Sequence, residues 1–161
     1  SAEGFCTFNG LMVTALALLE QGAVRSIGIL DCDVHYGNGT DDIMKRLGVQ
    51  GIRHHTMGAH FRHRDEASLF EQWLDRAIED CLGVDLLIYQ AGADPHVNDP
   101  LGKVLTGVQM AKRDHAVFSA FQGRPLVWNL AGGYQRDVNG GIEPVLKLHR
   151  TTAQIQNIYQ P

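Results

Sequence analysis

Three short apolar runs, at residues 27–33, 84–89 and 125–130, are separated by stretches with helical periodicity, and each leads into a glycine-containing polar segment. Strands that alternate with helices in this way fold as a parallel sheet with helices on both faces, which makes the chain an α/β protein. Right-handed crossovers put the carboxyl ends of such strands on one edge, where ligands bind. Three segments are therefore expected to converge: Asp31-Cys32-Asp33-Val34-His35-Tyr36-Gly37-Asn38-Gly39-Thr40, Gln90-Ala91-Gly92-Ala93-Asp94 and Ala131-Gly132-Gly133-Tyr134.

The intervening stretches supply the helices. Leu11, Ala15, Leu18 and Leu19 share a face over residues 9–21, and Gly22 stops the run. Thr40 is the expected N-cap of a short helix ending at Leu47, with Asp41 and Asp42 near its positive end. Residues 49–53 read as a further strand, and the polar stretch carrying His54, His55, His60 and His63 as a loop. Helices follow at 67–82, from Thr106 to about Phe121, and at 143–158.

At 161 residues, with 44% hydrophobic and 20% charged side chains, the composition is that of one ordinary globular domain, 1–161. Net charge is -4, and no dense basic block is present, so nucleic acid is not an expected partner. The apolar stretch 11–19 is too short to span a bilayer and has no basic region ahead of it, so neither a membrane anchor nor a signal peptide is expected. Three widely spaced cysteines without a CxxC pair argue against a disulfide framework and for a reducing, cytoplasmic setting.

Asp31, Asp33 and His35 alternate, so an extended backbone would point all three the same way. An Asp-x-Asp-x-His run alone is ordinary for a solvated strand end. Joined by Asp94, however, Asp33 and His35 make a nitrogen and oxygen set suited to a divalent metal with open positions. Such an ion polarises a carbonyl and acidifies water, the two requirements of amide hydrolysis. Tyr134, after two glycines, is placed to donate its hydroxyl to an oxyanion, although an interfacial aromatic would look the same. Asp99-Pro100-Leu101-Gly102 reads as a turn with Asp99 capping local amides. The His54–His63 group fits no ligand spacing and reads as surface histidines, and His96 reads as a pocket wall or a structural hydrogen-bonding group.

These segments match a known pattern: Asp-x-Asp-x-His-x-Gly-Asn-Gly-Thr, Ala-Gly-x-Asp-x-His-x-x-Asp-Pro-Leu-Gly and Gly-Gly-Tyr, preceded by Gly4-Phe5-Cys6-Thr7-Phe8-Asn9. In them the chain resembles the zinc-dependent histone deacetylase and acetylpolyamine amidohydrolase family, with its arginase-like fold. The resemblance implies zinc on Asp33, His35 and Asp94, with Tyr134 polarising an acetyl carbonyl and Asp31 and Asn38 as orienting groups. It also implies a monovalent cation such as K+ on main-chain oxygens near Asp31–His35. Asn38 looks like the class II and bacterial branch, and Tyr36 stands where relatives usually have histidine.

The family's paired catalytic histidines precede the Gly-Phe-Cys motif, so the sequence from Ser1 reads as a partial deacetylase domain without its N-terminal segment. The expected function is zinc-dependent hydrolysis of acetyl-lysine or an acetylpolyamine, impaired in this chain. The alternative is a non-catalytic module of the same fold that self-associates, as a homo-oligomer covering the surface left by the missing half, or binds a partner. The residue that supplies a hydroxyl to the monovalent cation in relatives falls near His54.

Overall fold

The computed structural model describes residues 7–159, so the Gly4–Cys6 part of the opening motif lies outside the described residues. The elements run α1 (Gly10–Glu20), β1 (Ile27–Asp31), α2 (Asn38–Leu47), β2 (Ile52–Thr56), α3 (Ala67–Cys81), β3 (Leu86–Gly92), α4 (Gly107–Ala120), β4 (Leu126–Ala131) and α5 (Glu143–Tyr159). All pairings are parallel and the strand order is β2-β1-β3-β4.

Alternation places the two faces of β1 in different cores. Ile27 and Ile29 pack with Met12 and Ala15 of α1 and with Ile43 and Met44 of α2. Leu30 and Cys32 join Phe70 and Leu74 of α3, Val117 and Phe118 of α4 and Ile155 of α5. Every residue of β1 is buried, which is why it reads as a continuous apolar run rather than an alternating one. Edge strand β4 leaves Val127 and Leu130 exposed.

The strand order decides where a ligand can sit. From β1 the chain moves one way to β2, then crosses back over β1 to β3, so α2 and α3 lie on opposite faces. Between β1 and β3 the order reverses, and a crevice opens beyond their carboxyl ends.

Several boundaries differ from expectation for local reasons. Helix α2 begins at Asn38 after Gly37, and Thr40 is a buried residue inside it, not a cap. Its hydroxyl instead accepts a hydrogen bond from Asn9 Nδ2 at 2.9 Å. Strand β2 is shifted toward the C-terminus, so His54 and His55 lie on a strand and not in a loop. Thr106 does cap α4, in a reciprocal box with Gln109.

Candidate metal centre

Strand β1 stops at Asp31, two residues short of the expected end, because the following carboxylates bind their own backbone. Asp33 N–H donates to Asp31 Oδ1 at 3.0 Å, and His35 N–H donates to Asp33 Oδ1 at 2.8 Å. These turns bend the chain, and the three side chains do not act as one row. Asp31 turns toward Gln90, whereas Asp33 and His35 meet Asp94 from the end of β3.

His35 Nδ1 lies 2.8 Å from Asp33 Oδ1 and 3.0 Å from Asp94 Oδ2, and the three donor atoms all fall within 4.8 Å of one another. A single ring proton cannot serve both carboxylates. Asp94 Oδ1 accepts the Val34 amide at 3.1 Å, but the buried Oδ2 has no hydrogen-bond partner. Burial, followed by the charge of Asp33, pushes the Asp94 carboxyl well above its ordinary range. One nitrogen, two carboxylates and an orphaned buried oxygen fit a divalent cation, whose charge would reverse that shift. His35 is exposed, so the cluster is open on one side.

Glycines admit the two strand ends to each other. A Cβ on Gly132, whose φ is +55°, would stand 2.5 Å from Asp94 Cγ, and one on Gly92 would stand 2.6 Å from Asp33 Cα. Either would displace Asp94 or Asp33 from the cluster. Beyond Gly133, the Tyr134 ring meets His35 edge-on at a centroid distance of 6.4 Å, on the rim of the cluster.

Asp31 sits behind the cluster, where burial pushes its carboxyl up to about 7. It accepts Gln90 Nε2 at 2.9 Å, and Gln90 Oε1 accepts Asn129 Nδ2 at 3.4 Å, a relay across β1, β3 and β4 at matching register. Asn38 is the exposed first residue of α2. Asp41 ties this region down, accepting the Tyr36 hydroxyl at 2.6 Å and lying 2.7 Å from His54 Nδ1. The buried His54 ring stands across Gly37 from Asp31 Oδ2. His54 is thus a buried structural group and not a surface histidine, while His60 and His63 are exposed.

Two supports were not foreseen in the sequence. The fully buried Asp99 accepts the Tyr134 amide at 2.7 Å in addition to capping Leu101, so the Asp-Pro-Leu-Gly turn also fixes the Gly-Gly-Tyr segment. Beneath the cluster, buried Arg113 of α4 donates to the Gly92 carbonyl at 2.8 Å and to the Cys32 carbonyl at 3.4 Å, bracing the chain just ahead of Asp94 and Asp33. Adjacent Arg113-Asp114 inside an otherwise apolar helix face was the available signal.

Residues 1–61 match the histone deacetylase domain family. An acetylpolyamine amidohydrolase of Mycoplana ramosa is 36% identical over 62% of this chain and 25% of its own length. The chain is similar to histone deacetylases and acetylpolyamine amidohydrolases. An uncharacterized protein of Picosynechococcus is 28% identical over 95% of this chain and 57% of its own. Among solved structures, an acetylpolyamine aminohydrolase from Burkholderia pseudomallei superposes with a TM-score of 0.74 at 19% identity, over 97% of this chain and 51% of that one. A deacetylase homologue from Aquifex aeolicus gives 0.67 at 17% identity, over 97% and 48%. The chain thus spans about half the length of these relatives. No helix among its described residues is long and apolar enough to cross a membrane.

Proposed function

We propose that this chain carries the metal-binding and oxyanion-binding part of a zinc-dependent deacetylase that hydrolyses an acetylated amine, either acetyl-lysine or an acetylpolyamine. The observation that carries the reading is the meeting of Asp33, His35 and Asp94 around an orphaned buried oxygen, with Tyr134 on the rim. Asp33, His35 and Asp94 would hold the ion. Zinc bound there would polarise the acetyl carbonyl and acidify a water.

The chain's own groups then have separate tasks. Tyr134 donates its hydroxyl toward the developing oxyanion, with its backbone fixed by Asp99. Asp31, held by Gln90, orients the segment that presents Asp33. We place the general acid and base outside the described residues, and their absence would cost about 10²- to 10⁴-fold in rate. The buried thiols Cys32 and Cys81 are free, which favours a reducing compartment such as the cytoplasm. A monovalent cation such as K+ on main-chain oxygens near Asp31–His35 would stand beside the His54 ring, which lies across Gly37 from Asp31 Oδ2.

The test is turnover of an acetyl-lysine peptide and an acetylated polyamine by the zinc-loaded 161-residue chain, alone and with an upstream family segment supplied in trans. The expected result is weak turnover, raised by that segment and lowered about 10²- to 10³-fold by Tyr134→Phe. Zinc binding that ignores Asp94→Asn, or turnover that ignores Tyr134→Phe, would overturn the assignment.

A second reading, self-association without catalysis, is favoured by edge strand β4, where Val127 is 49% and Leu130 57% exposed. Its unpaired edge can template another strand. Sedimentation would then show a dimer that Val127→Lys disperses.

A further inference from the structure

A second cluster forms where edge strand β2 meets the end of α3, sharing no residue with the Asp33 pocket. His55 Nε2 lies 2.9 Å from Asp80 Oδ2, and one donor atom each from His55, Asp80 and Cys81 fall within 4.8 Å of one another. His55 and Asp80 are open to solvent, whereas Cys81 is fully buried at the floor. Among the described residues no hydrogen bond engages its thiol, and Cys81 is in no disulfide.

The surroundings are shaped around that sulfur. A Cβ on Gly28 of β1 would stand 2.9 Å from Cys81 Sγ, so the glycine leaves the space the sulfur fills. Arg53 lies 3.7 Å from Asp80 Oδ1 and donates to the Asp80 carbonyl at the helix end, leaving Oδ2 to face His55. Burial, then the Asp80 charge, pushes the thiol up to about 12, a shift that a divalent cation would reverse.

We propose that His55, Asp80 and Cys81 form a second metal site, for zinc or a similarly borderline divalent cation. Imidazole, carboxylate and thiolate suit such an ion, and the exposed side leaves a position for water. Binding releases the thiol proton to solvent and fastens edge strand β2 to α3. The proposal stands independently of the deacetylase reading.

Cobalt is the probe, because the Asp33 pocket contains no sulfur. Titration of the metal-free 161-residue chain with Co2+ should produce a near-ultraviolet thiolate-to-cobalt charge-transfer band in addition to visible d–d absorption. Cys81→Ala should remove the band and keep visible absorption from the first pocket, and Cys32→Ala should keep both. The surface variants His55→Gln and Asp80→Asn should each weaken the band's midpoint by about tenfold or more, and they decide the matter if Cys81→Ala fails to fold. No band at saturating Co2+, a band that follows Cys6 or Cys32, or a midpoint unchanged in both surface variants overturns the proposal.

Discussion

Two buried carboxylates a short way apart in the chain, Asp94 and Asp114, are treated in opposite ways. Asp114 receives the Arg113 guanidinium at 2.9 Å and the Thr152 hydroxyl at 2.6 Å, together with the Tyr89 hydroxyl, so both its oxygens are engaged. Burial opposes the Arg113 charge, yet Asp114 and its neighbours hold it above its ordinary value. Asp94 has one oxygen without a hydrogen bond, and the charge that bears on it most, that of Asp33, has the same sign. A fold that encodes its own cation at one carboxylate and omits it at the other has a structural ion pair in the first case, and in the second leaves room for the cation proposed for that pocket.

Breaking the satisfied side should give the largest effect. Arg113→Met strands Asp114 and is expected to cost about 3–5 kcal/mol by urea unfolding, whereas Arg113→Met with Asp114→Leu should recover much of it. Equal losses in the single and double variants would show that shape, not charge, governs that region. Next comes the unsatisfied side: zinc at one hundred times its dissociation constant for the Asp33 pocket should stabilise the chain by about 2.7 kcal/mol through that pocket, and in a His55→Gln background, which weakens the second cluster, Asp94→Asn should remove most of the gain. Gly132→Ala, whose Cβ would stand 2.6 Å from Asp94 Oδ2 and push that carboxylate aside, should weaken zinc binding about 10- to 100-fold by calorimetric titration.

The smallest effect concerns His54, buried between the two carboxyl-rich elements. Burial, only partly offset by Asp41, holds its imidazole below the ordinary 6.5. A depressed folded value means that its contribution is present above pH 6.5 and is lost as pH falls and the ring must charge. The stability of the metal-free chain should therefore decline on the acid side of that value, and His54→Gln should make the decline shallower in urea midpoints measured across pH. Parallel curves would remove His54 from the account.

The contrast also shows what was legible in the sequence. Alternating apolar runs and helices specified the parallel sheet, because burial on both faces leaves little choice for such runs. Asp33, His35, Asp94 and Tyr134 could be singled out because each follows a strand and so arrives at one edge. Hidden were the events that depend on side chains turning back on the backbone. Asp31 left the expected row because Asp33 N–H ended the strand, and Thr40 is inside α2 because Asn9 claims its hydroxyl. The Arg113-Asp114 pair was a local signal, but the Gly92 carbonyl that Arg113 braces and the His55 that joins Asp80 and Cys81 come from other elements, which no local spacing announces.

The reversal of strand order between β1 and β3 has a kinetic consequence. Val34 and Asp94 are 60 residues apart in sequence, with α2, β2 and α3 between them. A metal can grip both sides of the crevice only after that long loop has closed, late on the route to the native state. Zinc at this position would therefore act mainly as a brake on unfolding, slowing escape from the finished fold while leaving its rate of assembly nearly unchanged.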